Sequence, residues 1–307
     1  MSLFRALRNY AYSRAGIYRR RLNAKPFPGV AVLAYHGVRD DDLPCDALRG
    51  GHMHVSASRL AEHCGVLKAL CTPISGEQFL EAAVDGRPLP PRPVLVTFDD
   101  GYANCLSQAL PVLERFEVPA VLFACPDPIA RGVRFWFDAV AERHGDAAVA
   151  KAKSLPYDEW RMCVQRDEMS ADSGDPHRPL TVPELLRVAA SGLVEVGGHT
   201  LTHPILANAT PADQQREIAG CAQALTAWLG KAPRLFAYPN GRPRVDYTEE
   251  TVATARECYL DAFAMGDRFT DPSTLRGEQR RFLVLDSVSG AELTHRLAGA
   301  WSRAPLV

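Results

Sequence analysis

The apolar, β-branched run Val94-Leu95-Val96-Thr97-Phe98 stops abruptly on two adjacent carboxylates, Asp99 and Asp100, with Gly101 directly behind them. A continuous apolar stretch of this length suits a parallel strand buried on both faces. A glycine just past its end lets the backbone turn sharply into the next helix. Both acids then emerge at the carboxyl end of the strand, where barrels of this class keep their chemistry. A single Asp at that point would serve as an N-cap for the helix expected from Ala103 onward. Two side by side call for a further reason.

The same arrangement recurs along the chain. Val30 to Ala34 leads to Tyr35-His36-Gly37, Leu193 to Gly198 leads to His199-Thr200-Leu201-Thr202-His203, and Arg234 to Ala237 leads to Tyr238-Pro239-Asn240-Gly241. Further strands are read at Val118–Ala124, Leu260–Ala264 and Phe282–Leu285, with helices between them. Ser56 or Ser58 can cap one over Leu60 to Leu70; Thr181 with Glu184 forms a capping box; Thr210-Pro211 and Thr248 open two more. This alternation predicts an α/β barrel, and 307 residues suit one barrel with extensions. Residues 128–180 break the rhythm and read as a helical insertion hung on the barrel, facing the substrate. Its Trp136 is either plain packing or a surface on which a substrate stacks.

Residues 1–28 form a separate arm. Its first 25 residues hold Arg5, Arg8, Arg14, Arg19, Arg20, Arg21 and Lys25 with no acid, interleaved with Leu3, Phe4, Leu7, Tyr10, Ile17 and Tyr18. Such a segment can lie on an anionic membrane surface or pack as a solvated terminal helix. The rest, 29–307, reads as a single barrel domain. A formal net charge of -1 gives no whole-molecule case for nucleic acid. No apolar segment approaches a membrane span and no secretory signal is recognised. The eight cysteines form no C-x-x-C pair and read as reduced, mostly buried thiols. A cytoplasmic protein, membrane-associated through its arm, is the expectation.

In a barrel of parallel strands the polar strand ends converge on one face. His199 and His203 are four residues apart, and with one carboxylate they make a two-histidine, one-acid set that leaves coordination positions open for water and substrate.

These residues resemble the polysaccharide deacetylases of the NodB-homology (carbohydrate esterase) family. The resemblance rests on Thr97-Phe98-Asp99-Asp100-Gly101, His199-Thr200-Leu201-Thr202-His203 and Phe236-Ala237-Tyr238-Pro239-Asn240-Gly241, and covers roughly residues 30 to 285. It implies a distorted, incomplete (β/α) barrel of the seven-stranded type. It also implies a divalent metal on Asp100, His199 and His203, usually zinc, with cobalt or nickel as alternatives, and Asp99 as catalytic base. Tyr238, Asn240 and Gly241 would serve substrate and oxyanion. The chain departs from the family where many members carry an arginine beside the base, because Ala237 stands there; Arg281 resembles the arginine that one branch places on a late strand and would orient Asp99. In a circularly permuted branch the acid histidine comes from an amino-terminal Tyr-His, which Tyr35-His36 matches, so His36 is preferred over His295 as the acid. The activity so implied is removal of N-acetyl groups from an N-acetylated sugar, in a polysaccharide or in a lipid- or nucleotide-linked intermediate. A metal-dependent amidase on a non-sugar amide and a non-catalytic carbohydrate-binding relative are the alternatives.

Overall fold

A computed structural model describes residues 3–45, 53–274 and 276–300. Residues 46–52 of the expected 39–55 loop lie outside these, as do the last seven residues. Seven parallel strands form the centre: β1 (Ala31–Tyr35), β2 (Pro93–Phe98), β3 (Ala120–Ala124), β4 (Val194–Gly198), β5 (Leu235–Ala237), β6 (Asp261–Met265) and β7 (Gln279–Leu283). Each pairs with the next from β2 to β7, and β1 pairs with both β2 and β7, so the ring is closed. Leu33 of β1 sits opposite Val96 on one side and Phe282 on the other.

Side chains alternate across this ring as the strand period requires. Val32, Leu95, Val121, Phe123, Leu235 and Phe263 belong to one buried cluster that fills the barrel, whereas Leu33, Val96, Leu122 and Phe282 belong to a second cluster shared with the surrounding helices. Both faces of a strand are therefore apolar, which explains the unbroken runs.

Two helices, α1 (Leu3–Arg14) and α2 (Ile17–Ala24), precede the barrel. After β1, a two-residue strand at Val38–Arg39 pairs in parallel with Val55–Ser56, inside the stretch expected to be loop. Ser56 accepts the Arg59 amide and so caps α3 (Ala57–Leu70). The following helix, α4 (Gly76–Asp85), opens with a Ser75–Gln78 capping box. It plugs the end of the barrel where the strands begin, with Phe79 and Leu80 joining the interior cluster. The helix expected from Ala103 is not uniform: a π-helical turn, Cys105–Ala109, precedes α5 (Leu110–Phe116). Pro111 lacks the amide that would continue a regular α-helical ladder.

The insertion is helical as expected: α6 (Pro126–Arg131), α7 (Trp136–His144), α8 (Asp146–Ala152) and α9 (Tyr157–Arg166). The remaining helices are α10 (Val182–Ala190), with both halves of the Thr181–Glu184 box formed, then α11 (Pro211–Leu229), α12 (Glu249–Cys258) and α13 (Gly290–His295). All eight cysteines are free and most are buried. Among the described residues no helix is long and apolar enough to cross a membrane.

Gly197 marks a point where β4 tolerates no side chain. A Cβ there would stand 2.6 Å from the Leu235 carbonyl oxygen and 2.7 Å from the Phe123 ring. Backbone cannot yield as a flexible side-chain tip can, so Gly197→Ala is expected to destabilise the fold by about 1–3 kcal/mol. Urea unfolding would show a lower midpoint, and an unchanged midpoint would mean that β4 and β5 are free to separate.

Candidate metal and catalytic site

The polar strand ends meet at the carboxyl-terminal mouth of the ring. A cavity of about 520 Å³ there is lined by His36, Asp99, Asp100, His199, His203 and Asn240, with Lys153, Phe137 and Asp138 from the insertion. Short-range bonds between strand ends hold the loops in place. The Asp99 amide donates to the Tyr35 carbonyl (2.9 Å), the Cys125 amide to the Asp100 carbonyl (3.0 Å) and the His199 amide to the Ala124 carbonyl (3.1 Å).

The two adjacent acids face different ways. Asp99 follows the alternation of Leu95 and Thr97 and points into the barrel, where Arg281 meets it in a two-pronged ion pair, Nη1 to Oδ1 at 2.6 Å and Nη2 to Oδ2 at 2.9 Å. Arg281 is fully buried, also donates to the Thr97 hydroxyl (3.2 Å), and carries its guanidinium 5.4 Å from the centre of the Phe123 ring. It lies within β7 rather than ahead of it. Burial, the largest single influence, would raise the Asp99 carboxyl, but the charge and hydrogen bonds of Arg281 together with the nearby His199 and His36 outweigh it and hold the group down at about 2.

Asp100 leaves the strand with a left-handed backbone, φ 73°, and Gly101 follows at φ 100°. This turn swings its carboxylate toward the histidines: Oδ1 lies 3.6 Å from His199 Nε2 and 3.4 Å from His203 Nε2. His203 and Thr200 are left-handed as well, φ 63° and 65°. Such strain persists only where surroundings over-determine it. Here Glu217 accepts the Thr202 amide (3.0 Å) and hydroxyl (2.7 Å), while the Leu201 amide donates to the Glu217 carbonyl (3.1 Å). His199 Nδ1 donates to the Ala237 carbonyl (2.7 Å), which leaves Nε2 as the lone-pair nitrogen facing Asp100.

One ligand atom from each of Asp100, His199 and His203 lies within 4.8 Å of the others, in a fully buried group. Asp100 Oδ1 has no hydrogen-bond partner among the described residues. Burial, then the charges of Asp99 and Asp138, push its carboxyl well above the ordinary range, and burial pushes both imidazoles down to their neutral form. A buried acid whose Oδ1 has no hydrogen-bond partner among the described residues, beside two neutral imidazole lone pairs, is a donor set that fits a divalent cation.

His36, just past β1, lines the same cavity, and its Nδ1 is buried with no hydrogen-bond partner among the described residues. Burial lowers it to about 4 despite Asp99, so its resting form is neutral. His295 lies elsewhere, against the Tyr18 ring at 5.1 Å. Asn240 lines the cavity at φ 55° and accepts a hydrogen bond from Lys153 Nζ (3.2 Å); Gly241 continues the turn at φ 73°.

Two expectations need correction. Tyr238 does not reach the cavity: its hydroxyl donates to the Gly277 carbonyl (2.8 Å), its ring stacks on Tyr247 at 4.0 Å, and its amide is taken by the Phe263 carbonyl (3.0 Å). An outward position on the short β5 sends it into the packing against α12. Trp136 is also buried, packed edge-on against Trp160, and its indole Nε1 donates to the His203 carbonyl (2.9 Å). It therefore braces the histidine loop from behind, and the aromatic residues that line the cavity are Tyr102 and Phe137, whose ring centre is 5.0 Å from that of His203. Sequence reasoning also missed Lys153, half-buried at the end of α8, because nothing in a helix-prone run of Ala139 to Lys153 says which residue turns inward. Asp138, left without a role on sequence grounds, accepts the Tyr102 hydroxyl at 2.6 Å, and burial raises its carboxyl to about 7.

Residues 86–263, more than half of the chain, match the family model described as polysaccharide deacetylase. The chain belongs to that family. It is 29% identical over 197 residues to the poly-beta-1,6-N-acetyl-D-glucosamine N-deacetylase of Escherichia coli strain K12, a match covering 62% of this chain and 24% of that protein. The chain thus spans about a quarter of the length of that relative. Among solved structures, the Streptococcus pyogenes deacetylase PplD in complex with acetate superposes with a TM-score of 0.63 at 18% identity, covering 89% of this chain and 99% of that one. IcaB from Ammonifex degensii gives 0.62 at 21% identity, covering 88% and 97%. At these identities the likeness establishes the fold, the seven-stranded closed barrel with its surrounding helices.

The Asp99–Arg281 pair carries a stability signature. Its folded value, about 2, lies below the ordinary 3.8, so the stabilisation it brings is present above 3.8 and lost as the pH falls through about 2. Arg281→Met would strand a buried carboxylate and cost about 3–5 kcal/mol at neutral pH. With Arg281 gone, burial is the largest influence left, ahead of the nearby His199 and His36, and it favours the neutral acid, so this variant should gain stability on going from about pH 7 to about pH 5 relative to the parent. Urea unfolding at both pH values checks this; a variant whose deficit is the same at each would show that Asp99 finds another counter-charge.

Proposed function

We propose that this protein is a metal-dependent hydrolase that removes N-acetyl groups from an N-acetylated glycan. The observation that carries the reading is the division of labour between adjacent acids: Asp100 faces His199 and His203, whereas Asp99 is bound by Arg281 beside the same cavity. A carbohydrate-binding relative has no use for that separation. The name of the Escherichia coli relative points to a polymer of β-1,6-linked N-acetylglucosamine as the first substrate class to try.

Asp100, His199 and His203 would hold the metal, zinc in the first place and cobalt or nickel as alternatives. When bound, such an ion supplies Lewis acidity toward the acetyl carbonyl and makes a bound water more acidic. The remaining work falls to the chain. Asp99, ionised through Arg281, accepts the proton released as the water oxygen attacks the acetyl carbon. An amide nitrogen is a poor leaving group unless it is protonated as the C–N bond breaks. His36 lines the same cavity and would deliver that proton; because it rests neutral, the proton it gives is the one that Asp99 took from the water, so water and amide become acetate and amine with no proton left over. The amine leaves with the sugar and acetate remains. Phe137 offers an apolar wall for a sugar ring, and Asn240, which lines the cavity on the turn it shares with Gly241, would serve the developing oxyanion. Tyr238 has no part in this scheme.

Purified protein should release acetate from N-acetylated β-1,6-glucosamine oligomers, lose that activity on chelation and regain it with added zinc, cobalt or nickel. No release from any N-acetylated glycan with metal bound would shift the reading to an amidase acting on a non-sugar amide. Residue by residue, Asp100→Asn should lower metal content, while Asp99→Asn should retain metal and lose turnover. His36→Ala should retain metal and lower kcat by about a hundredfold or more. Elemental analysis beside acetate assays separates these outcomes, and full activity of His36→Ala would remove His36 from the scheme.

A further inference from the structure

The arm ahead of the barrel has two chemically distinct faces. On its inner face Asn9, Tyr18 and Leu22 are buried. The Asn9 amide nitrogen donates to Glu292 of α13 (2.5 Å), and the Tyr18 hydroxyl donates to the Asn9 side-chain oxygen (2.9 Å). The two helices are thereby fixed on the barrel flank, and none of their residues lines the catalytic cavity.

The outer face is unlike the rest of the surface. Of the eight large apolar side chains exposed among the described residues, three lie in α1: Leu7 at 60%, Tyr10 at 61% and Tyr12 at 39%. Around them Arg8, Arg14, Arg19, Arg20, Arg21 and Lys25 are exposed, and the first 25 residues contain no acid. At the foot of α2 an apolar groove of about 700 Å³ runs beside this surface, lined by Leu22, Phe27, Phe269 and Leu297, with the cations Arg21, Lys25 and Arg268 and a single acid, Asp267, among its polar residues. A chain of formal net charge -1 that gathers this many cations and tyrosines in one place has concentrated them against its own average. Amphipathic tyrosines beside cations suit the headgroup region of a bilayer, and an apolar recess bordered by cations suits the acyl end of an anionic lipid.

We propose that the outer face of α1 and α2 is a peripheral docking surface for a bilayer displaying anionic phospholipid, which holds the barrel at the membrane by its flank and leaves the cavity mouth free. This does not depend on the reaction the barrel performs, and its test reads binding alone.

The whole protein is sedimented with vesicles of phosphatidylcholine, with and without phosphatidylglycerol, at about 0.05 and 0.5 M salt. Binding should appear on the anionic vesicles, exceed that on neutral ones by about tenfold or more, and fall at the higher salt. Neutralising three cations together, Arg19→Gln, Arg20→Gln and Arg21→Gln, should lower the partition coefficient by about a hundredfold. The pair Leu7→Ser and Tyr10→Ser should lower it by about tenfold while leaving the salt dependence in place. Equal binding to both vesicle types, or an unaltered partition for the triple variant, overturns the proposal. So does a Leu7→Ser, Tyr10→Ser protein that binds vesicles and a short DNA duplex as the parent does, since that pattern belongs to a general polyanion site. All these side chains are exposed, so circular dichroism of each variant should match the parent.

Discussion

The paired charges of Asp99 and Arg281 set the terms for everything at the mouth of the barrel. Both groups are buried, and withdrawing two such ions from water costs several kcal/mol each unless geometry and further hydrogen bonds compensate. Two parallel N–H to oxygen bonds, the Thr97 hydroxyl and the Phe123 ring together supply that compensation. The pair crosses the barrel interior between β2 and β7, so the uppermost interior layer is ionic rather than apolar. With Asp99 committed inward, only Asp100 remains to face the two histidines. The left-handed backbone at Asp100 is the local cost of turning consecutive residues to different tasks.

A second layer of support comes from outside the ring. Trp136 holds the His203 carbonyl, Cys125 donates to the His199 carbonyl, Tyr102 holds Asp138, and Lys153 holds Asn240. Three of these four links join the insertion to residues at the strand ends. The helices of residues 126–166 are therefore part of what fixes the site, and a change in how they pack is felt at the histidine loop through a single indole hydrogen bond.

How much of this was legible in the sequence divides along physical lines. Strands, caps and strand-end polar groups follow from periodicity and from short-range chemistry: Ser56, one of the two serines that could cap, does so, Thr181 forms its box, and the helices expected to open at Thr210 and Thr248 have those residues as their caps. The pairing of Arg281 with Asp99 spans 182 residues, and no local rule links them; it was reachable only through the family resemblance. Aromatic residues were the weak point. Tyr238 stands within a site motif and Trp136 in the aromatic run of the insertion, yet a large ring with one polar atom is as well suited to a core, where that atom finds a carbonyl, as to a ligand surface. Which residues of the insertion turn inward, Phe137 and Lys153 among them, is set by how α7 and α8 dock, and that information is tertiary. The short parallel pair at Val38–Arg39 and Val55–Ser56 was likewise invisible, because two residues carry no period.

The double pairing of β1 has a bearing on how such a chain comes into being. β1 leaves the ribosome first among the strands, yet one of its two neighbours is β7, with Leu33 opposite Phe282 near the far end of the chain. The ring stays open through most of synthesis, and Asp99 has no arginine until β7 arrives. Closure, neutralisation of that carboxylate and completion of the cavity wall are consequently one event, delayed to the last strand. A nascent chain cut short before Arg281 would present six of the seven strands as an open ring with an uncompensated acid at its mouth, the kind of species that folding quality control removes.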